Sequence, residues 1–150
     1  LAHLGHFREG PREQADLNAR KFVWMQQSIT TAIEPEAQFS YEVMDEAEVP
    51  GDVVHAFAEA TGESLRNSCR HANVPGHEVT RAVHVRLSPN AVTVTILDDG
   101  RGFEPSQVAP TRLGLSVGVL GRMRDLDGGG ARIVSVPGGG TTVSLEWRRA

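Results

Sequence analysis

Two alternating runs set back to back constrain this chain more than any other feature. Val83, Val85 and Leu87 alternate with His84 and Arg86, and after Ser88-Pro89-Asn90 the run Val92 to Leu97 follows. Period-two alternation on both sides of a turn signal predicts a β-hairpin. The second strand leads straight into Asp98-Asp99-Gly100-Arg101-Gly102-Phe103. A plain Asp-Gly turn is one reason for such a sequence, since Gly accepts positive φ and Asp bonds its own backbone. Other readings fail on spacing. A dinucleotide loop needs a third glycine leading into a helix, and a P-loop needs Gly-Lys-Ser/Thr. A calcium loop needs oxygen ligands at alternate positions, a series broken by Arg101, Phe103 and Pro105. What remains is a strand-end carboxylate, Asp98, followed by Gly100 and Gly102 in the spacing D-x-G-x-G.

The rest of the chain supplies the layers around this hairpin. Residues 1–12 are polar with Gly5, Gly10 and Pro11, and read as a lead-in. A helical pattern runs from Arg12 to Ile33, with Phe22, Met25, Ile29 and Ala32 on one stripe, and Glu34-Pro35 ends it. Phe39, Tyr41 and Val43 alternate with polar residues as a half-buried strand. Pro50-Gly51-Asp52 sets up a second helix, Val53 to Ala72, with Asp52 as its N-cap. Val54, Phe57, Thr61, Leu65, Ser68 and Ala72 form its core side. Glu59, Glu63, Asn67 and Arg70, with His71 beside them, form a polar stripe.

After Phe103 comes a loop of about a dozen residues, a length that in compact domains tends to be functional. A helix from Val117 to Leu126 follows, stopped by Gly128-Gly129-Gly130. Ile133 to Val136 and Thr141 to Trp147 read as strands, the latter with Val143, Leu145 and Trp147 on one face. Trp24 and Trp147 are read as packing residues. The order helix, strand, helix, strand, strand, loop, helix, strand, strand predicts an α+β protein. Its form is a two-layer sandwich, a mixed but mostly antiparallel sheet with helices on one face. Residues 1–37 are taken as lead-in and helix, and residues 38–150 as the main domain.

Composition excludes several classes. The chain has 150 residues, enough for one domain with its own core, and a formal net charge of −4, which disfavours a nucleic-acid binder. Its one cysteine, Cys69, allows no intrachain disulfide and fits a reducing compartment. No apolar run reaches membrane-spanning length, and no signal peptide is visible. The first residue is Leu rather than Met, which suggests a piece excised from a larger protein. The six histidines are scattered, without metal-ligand spacing.

Three features need a common explanation: a helix face with Glu63 and Asn67, D-x-G-x-G after a strand, and a glycine turn ending in Thr141. Together they resemble the ATP-binding catalytic domain of two-component sensor histidine kinases, within the group named for gyrase, Hsp90, histidine kinases and MutL (the GHKL ATPases). Glu63-Ser-Leu-Arg-Asn67-Ser-Cys-Arg70-His71 resembles the N box of that family. Asp98-Asp-Gly100-Arg-Gly102 resembles the first glycine box, Leu113-Gly114-Leu115 the second, and Gly138-Gly-Gly140-Thr141 the last. The likeness covers about residues 38–148, with the boxes in the family's order.

The resemblance implies roles that fit each residue's chemistry. Asp98, acceptor-only when ionised, would take a hydrogen bond from the adenine amino group, and Thr141 would help to fix the ring or a water beside it. Gly100 and Gly102 let the backbone approach the ligand. Asn67 would give its amide oxygen to Mg²⁺. Arg70 would pair with phosphate oxygens and His71 would donate to them. Glu63 would polarise an attacking group or hold a metal-bound water. Gly114 and Leu115, with the N-terminus of the helix that follows, would offer backbone N–H groups to phosphates.

The implied activity is transfer of the ATP γ-phosphoryl to a histidine on a separate dimerisation domain, for relay to a response regulator. The implied ligands are ATP and Mg²⁺, with a homodimeric parent, a cytoplasmic site for the domain, and no nucleic-acid or membrane contact from this segment. The family's phosphoacceptor motif is absent: His3 and His6 in LAHLGHFREG lack its surroundings. The helix from Arg12 to Ile33 reads as a linker or the stub of that dimerisation domain. Arg112 stands where many relatives have Gly, so the second glycine box departs from the pattern. Two other readings share these boxes, an anti-sigma-factor-like serine kinase and a non-catalytic ATP-sensing interaction module.

Overall fold

The computed structural model describes residues 14–104 and 118–150. In chain order the elements are β1 (Leu17–Asn18), α1 (Ala19–Ile33), β2 (Gln38–Val43), β3 (Glu48–Val49), α2 (Gly51–His71), β4 (Arg81–Ser88), β5 (Ala91–Asp98), α3 (Leu120–Asp125), β6 (Gly129–Ser135) and β7 (Thr141–Arg148). Five strands form one sheet in the order β2-β4-β5-β7-β6, while β1 and β3 pair separately. Only β2–β4 is parallel within the five-stranded sheet; its other pairs are antiparallel. This is the expected mixed α+β sandwich.

The hairpin forms as its alternation requires. Val83, Val85 and Leu87 of β4 and Val92, Val94 and Ile96 of β5 are buried, and Val143, Leu145 and Trp147 of β7 continue that face. Against it lie Val53, Val54, Phe57, Ala60 and Leu65 of α2, with Met123 of α3 in the same cluster. Helix α1 shares this core. Phe22 meets Phe57 edge to face, ring centroids 5.8 Å apart at 77°, a preferred aromatic geometry.

Several local expectations are corrected. The first helix begins at Ala19, where the Asn18 side chain accepts from the Lys21 N–H at 2.8 Å. Its buried stripe is Ala19, Phe22, Val23, Gln26 and Thr30. Met25 is only partly buried, and Ala32 is exposed. The buried face thus runs through Phe22, Val23 and Gln26 rather than through Met25, Ile29 and Ala32. Trp24 is therefore 69% exposed and not a packing residue. Asp52 lies in the first turn of α2. Two side chains accept from first-turn N–H groups there, Asp16 Oδ1 from Gly51 at 2.7 Å and Asp52 Oδ1 from Val53 at 2.9 Å, while Pro50 holds the N-cap position. β2 is an edge strand, with Phe39 packed on the core and Tyr41 exposed. Gly128 is the turn after α3, but Gly129 and Gly130 open β6 rather than merely stopping a helix.

Candidate functional site

The row that matters crosses three strands. Arg81 of β4 sits opposite Asp98 of β5, and Asp98 sits opposite Thr141 of β7. All three lie at the strand ends nearest the last turns of α2. There a recess enclosing about 370 Å³ of empty space, its mouth included, is lined by Asn67, Ser68, His71, Asp98, Gly102 and Thr141, among others. Apolar Ile96, Val143 and Phe103 wall it beside the polar side chains of Ser64, Asn67, Ser68, His71, Asp98 and Thr141.

Asp98 is fixed at both oxygens. Ser68 Oγ donates to Oδ2 at 2.7 Å, and the Gly100 N–H donates to Oδ1 at 3.0 Å. A carboxylate has about four lone-pair sites, so acceptor capacity remains for a ligand. Thr141 Oγ1 shares a 2.8 Å hydrogen bond with Ser135 Oγ. Ser135 Oγ also accepts from the Phe103 N–H at 2.9 Å, which ties the chain after β5 to the β6–β7 turn.

The two glycines of D-x-G-x-G are required for different reasons. A Cβ on Gly100 would lie 2.2 Å from the Ala72 carbonyl oxygen. Gly102 has φ +60°, in the left-handed region that favours glycine. Asp99 turns away from the recess. Its Oδ1 accepts from the Thr80 N–H at 2.7 Å, and its Oδ2 lies 3.4 Å from His77 Nε2. The Thr80 N–H, with His77 adding to it, holds the Asp99 carboxyl below the ordinary carboxylate value.

On α2 the recess receives Asn67, which is 8% exposed, together with Ser68 and His71. No hydrogen bond holds the Asn67 amide among the described residues. Glu63 lies one turn earlier, 3.5 Å from Arg66, and neither it nor the exposed Arg70 lines the recess. Gly114 and Leu115 lie outside the described residues. Asn67, His71, Asp98, Gly102 and Thr141 thus come together, with Gly100 adjoining, while Glu63 and Arg70 flank them.

Two residues escaped sequence reasoning. Helical periodicity puts Ser68 on the core side of α2 with no evident role, yet it is the hydroxyl that meets Asp98. Arg81 shares the inward parity of Val83, Val85 and Leu87. A charge at a core-facing position was the available signal. Its guanidinium is buried: Nε donates to Ser68 Oγ at 2.9 Å, and Nη1 lies 3.9 Å from Glu34 Oε2. Cys69 Sγ lies 3.7 Å from the same Glu34 oxygen, and burial raises its thiol pKa, so it stays protonated.

The family model described as histidine kinase-, DNA gyrase B-, and HSP90-like ATPase matches residues 52–150. The chain belongs to that ATPase family. Solved structures of histidine kinases share the fold of this ATPase domain. The histidine kinase domain of a blue-light activated kinase from Erythrobacter litoralis superposes with a TM-score of 0.66 at 17% identity, covering 95% of this chain and 67% of that one. The mycobacterial sensor histidine kinase MprB gives 0.61 at 17% identity, covering 90% and 97%. The catalytic domain of histidine kinase ThkA gives 0.63 at 14% identity, covering 91% and 96%. No curated protein sequence matches the chain. No helix of the ATPase domain, among the described residues, is long and apolar enough to cross a membrane.

Proposed function

We propose that this ATPase domain binds ATP with Mg²⁺ and gives its γ-phosphoryl to a histidine on a separate dimerisation domain, for relay to a response regulator. The observation that carries this reading is Asp98. Its carboxylate is held from both sides at the end of β5 and lines a recess with apolar walls. Such an acceptor pairs with the adenine amino group and repels the carbonyl oxygen that guanine carries at the same place. Thr141, opposite Asp98, steadies the ring or a water beside it.

The residues present fit a phosphate-borne cation. Among the described residues no group of three or more His, Cys, Asp or Glu side chains could hold a metal by itself. Asn67 offers one amide oxygen that has no hydrogen-bond partner among the described residues. Mg²⁺ takes few protein ligands and completes its shell with phosphate oxygens and water; when bound it offsets charge on the transferring group. Around it, Arg70 and His71 would hold phosphate oxygens, and Gly114 and Leu115 would add backbone N–H groups. Glu63 would polarise the attacking group or order a metal-bound water.

Calorimetric titration with ATP, with and without Mg²⁺, tests the site. Wild type should bind more tightly with Mg²⁺, and Asn67→Ala should bring the two titrations together. An unchanged Mg²⁺ dependence in the mutant would remove Asn67 from the site. For the transfer, γ-labelled ATP should leave this chain unlabelled and give acid-labile label on an added histidine-bearing dimerisation domain. Stoichiometric acid-labile label on His3 or His6 would overturn that assignment.

A further inference from the structure

Asp98 is not held by its own strand alone. A serine hydroxyl carries a single hydrogen. Because Arg81 Nε donates to Ser68 Oγ at 2.9 Å, that hydrogen is left for Asp98 Oδ2, 2.7 Å away. Arg81 holds Ser68 a second time, Nη2 donating to its carbonyl oxygen at 3.0 Å and to Asn73 Oδ1 at 3.2 Å. The remaining nitrogen, Nη1, faces Glu34 Oε2 at 3.9 Å, and Glu34 is the C-cap residue of α1. An unbroken series, Glu34, Arg81, Ser68 and Asp98, runs from the end of α1 to the recess.

We propose that Arg81 is a positioning residue for recognition of the base, and that Glu34 makes the end of α1 part of that arrangement. This rests on the reading of Asp98 as acceptor for the adenine amino group.

The alternative for a buried arginine is stability alone, since it satisfies a carbonyl at the C-terminal end of α2 and balances Glu34. Hydroxyls elsewhere in this protein show why more is involved. Ser64 Oγ donates to the Ala60 carbonyl and Thr30 Oγ1 to the Gln26 carbonyl, each at 2.8 Å and four residues back. That back-bond is the ordinary resting place for a helical hydroxyl. Ser68 does not take it. The guanidinium fork clamps its oxygen and turns its hydrogen outward. Without the clamp Ser68 is free to bond Ser64 O instead, and Asp98 Oδ2 loses its donor and its fixed rotamer. A lysine cannot substitute, because an ammonium lacks the planar fork that reaches Ser68 twice and Glu34 as well.

Calorimetry on the whole chain with ATP and inosine triphosphate tests this, since inosine carries a carbonyl oxygen in place of the amino group. Wild type should prefer ATP. Arg81→Lys should cut that preference about threefold to tenfold, chiefly by weakening ATP, and Glu34→Gln should shift it the same way by less. A lower Tm with an unchanged ATP-to-inosine ratio in both variants makes the network structural only and overturns the proposal. If Arg81→Lys fails to fold, Ser68→Ala replaces it and must lower the same ratio; an unchanged ratio there is equally fatal. Asp98→Asn run in parallel separates the two levels of inference. If it leaves the ratio intact, the reading of the site fails and this proposal with it. If it collapses the ratio while Arg81→Lys and Glu34→Gln do not, this proposal alone fails.

Discussion

The backbone N–H of Arg101 donates to the carbonyl oxygen of Ala72 at 2.9 Å. The segment leaving β5 is thereby fastened to the residue that closes α2, and the residue before Arg101 must pass that carbonyl at van der Waals distance. Only a residue without Cβ passes it, so Gly100→Ala should destabilise the domain by about 3 kcal/mol, the upper end of overpacking costs. Gly121 is the control. A Cβ there meets nothing within 4 Å, and Gly121→Ala in α3 should be neutral or stabilise by up to about 1 kcal/mol. Urea midpoints of the two variants moving by equal amounts would contradict the close approach.

The two adjacent carboxylates should separate cleanly in binding. Asp98→Asn keeps the shape but can turn an NH₂ toward the adenine amino group. The loss of a charge-assisted bond is worth about 1.5–3 kcal/mol, or roughly tenfold to a hundredfold in affinity. Asp99→Asn should cost far less, because Asp99 holds Thr80 rather than the recess. Titration of both variants with ATP and GTP checks this. A damaging Asp99→Asn beside a near-native Asp98→Asn would misplace the site.

Asp99 should instead appear in the pH dependence of stability. Its folded-state pKa lies below the ordinary value of 3.8. A depressed carboxyl contributes stability above its unfolded pKa and loses it as pH falls through the folded one. The difference in urea midpoint between wild type and Asp99→Asn should shrink below about pH 5 and close as pH falls below 3.8. A difference that widens below about pH 5 would have the wrong sign.

Gln26 is wholly buried, and neither its Oε1 nor its Nε2 has a hydrogen-bond partner among the described residues. An unpaired buried amide costs about 1–3 kcal/mol. Gln26→Met keeps the length and removes the polar atoms, so it should stabilise the domain by about 1–2 kcal/mol. Thermal unfolding gives the answer, and a fall in Tm would mean that the amide is satisfied in solution.

What could be read from the sequence follows from how local each feature is. Asn67 and His71 are one turn apart on α2, and Asp98 ends an alternating strand, so periodicity alone placed them on their elements. Ser68 and Arg81 are 13 residues apart, and nothing in either neighbourhood reveals that one will grip the other. Asp16 reaches the first N–H of a helix 35 residues on, a partner to which the sequence around Asp52 gives no pointer. The face of α1 depends on how Phe22 meets Phe57, a contact between helices that neither helix encodes alone. Trp24, the largest apolar side chain on α1, was therefore read as packing although it lies in solvent.

The parallel pairing of β2 with β4 bears on the order in which the domain assembles. Ser88 lies opposite Ala91 at the β4–β5 turn, so that pair closes across almost no chain. Phe39 meets Val83 only after all of α2 has been laid down between them. Loop closure costs more entropy for the longer connection, and contacts of long separation form late. We expect the β4–β5 pair to organise early, with β2 adding last to the exposed side of β4 and leaving first. In native-state hydrogen exchange, β2 amides should open at lower free energy than those of β5, which has a partner on each side. Exchange of β2 only through the global unfolding seen for β5 would mean that the edge strand is locked into the sheet from the start.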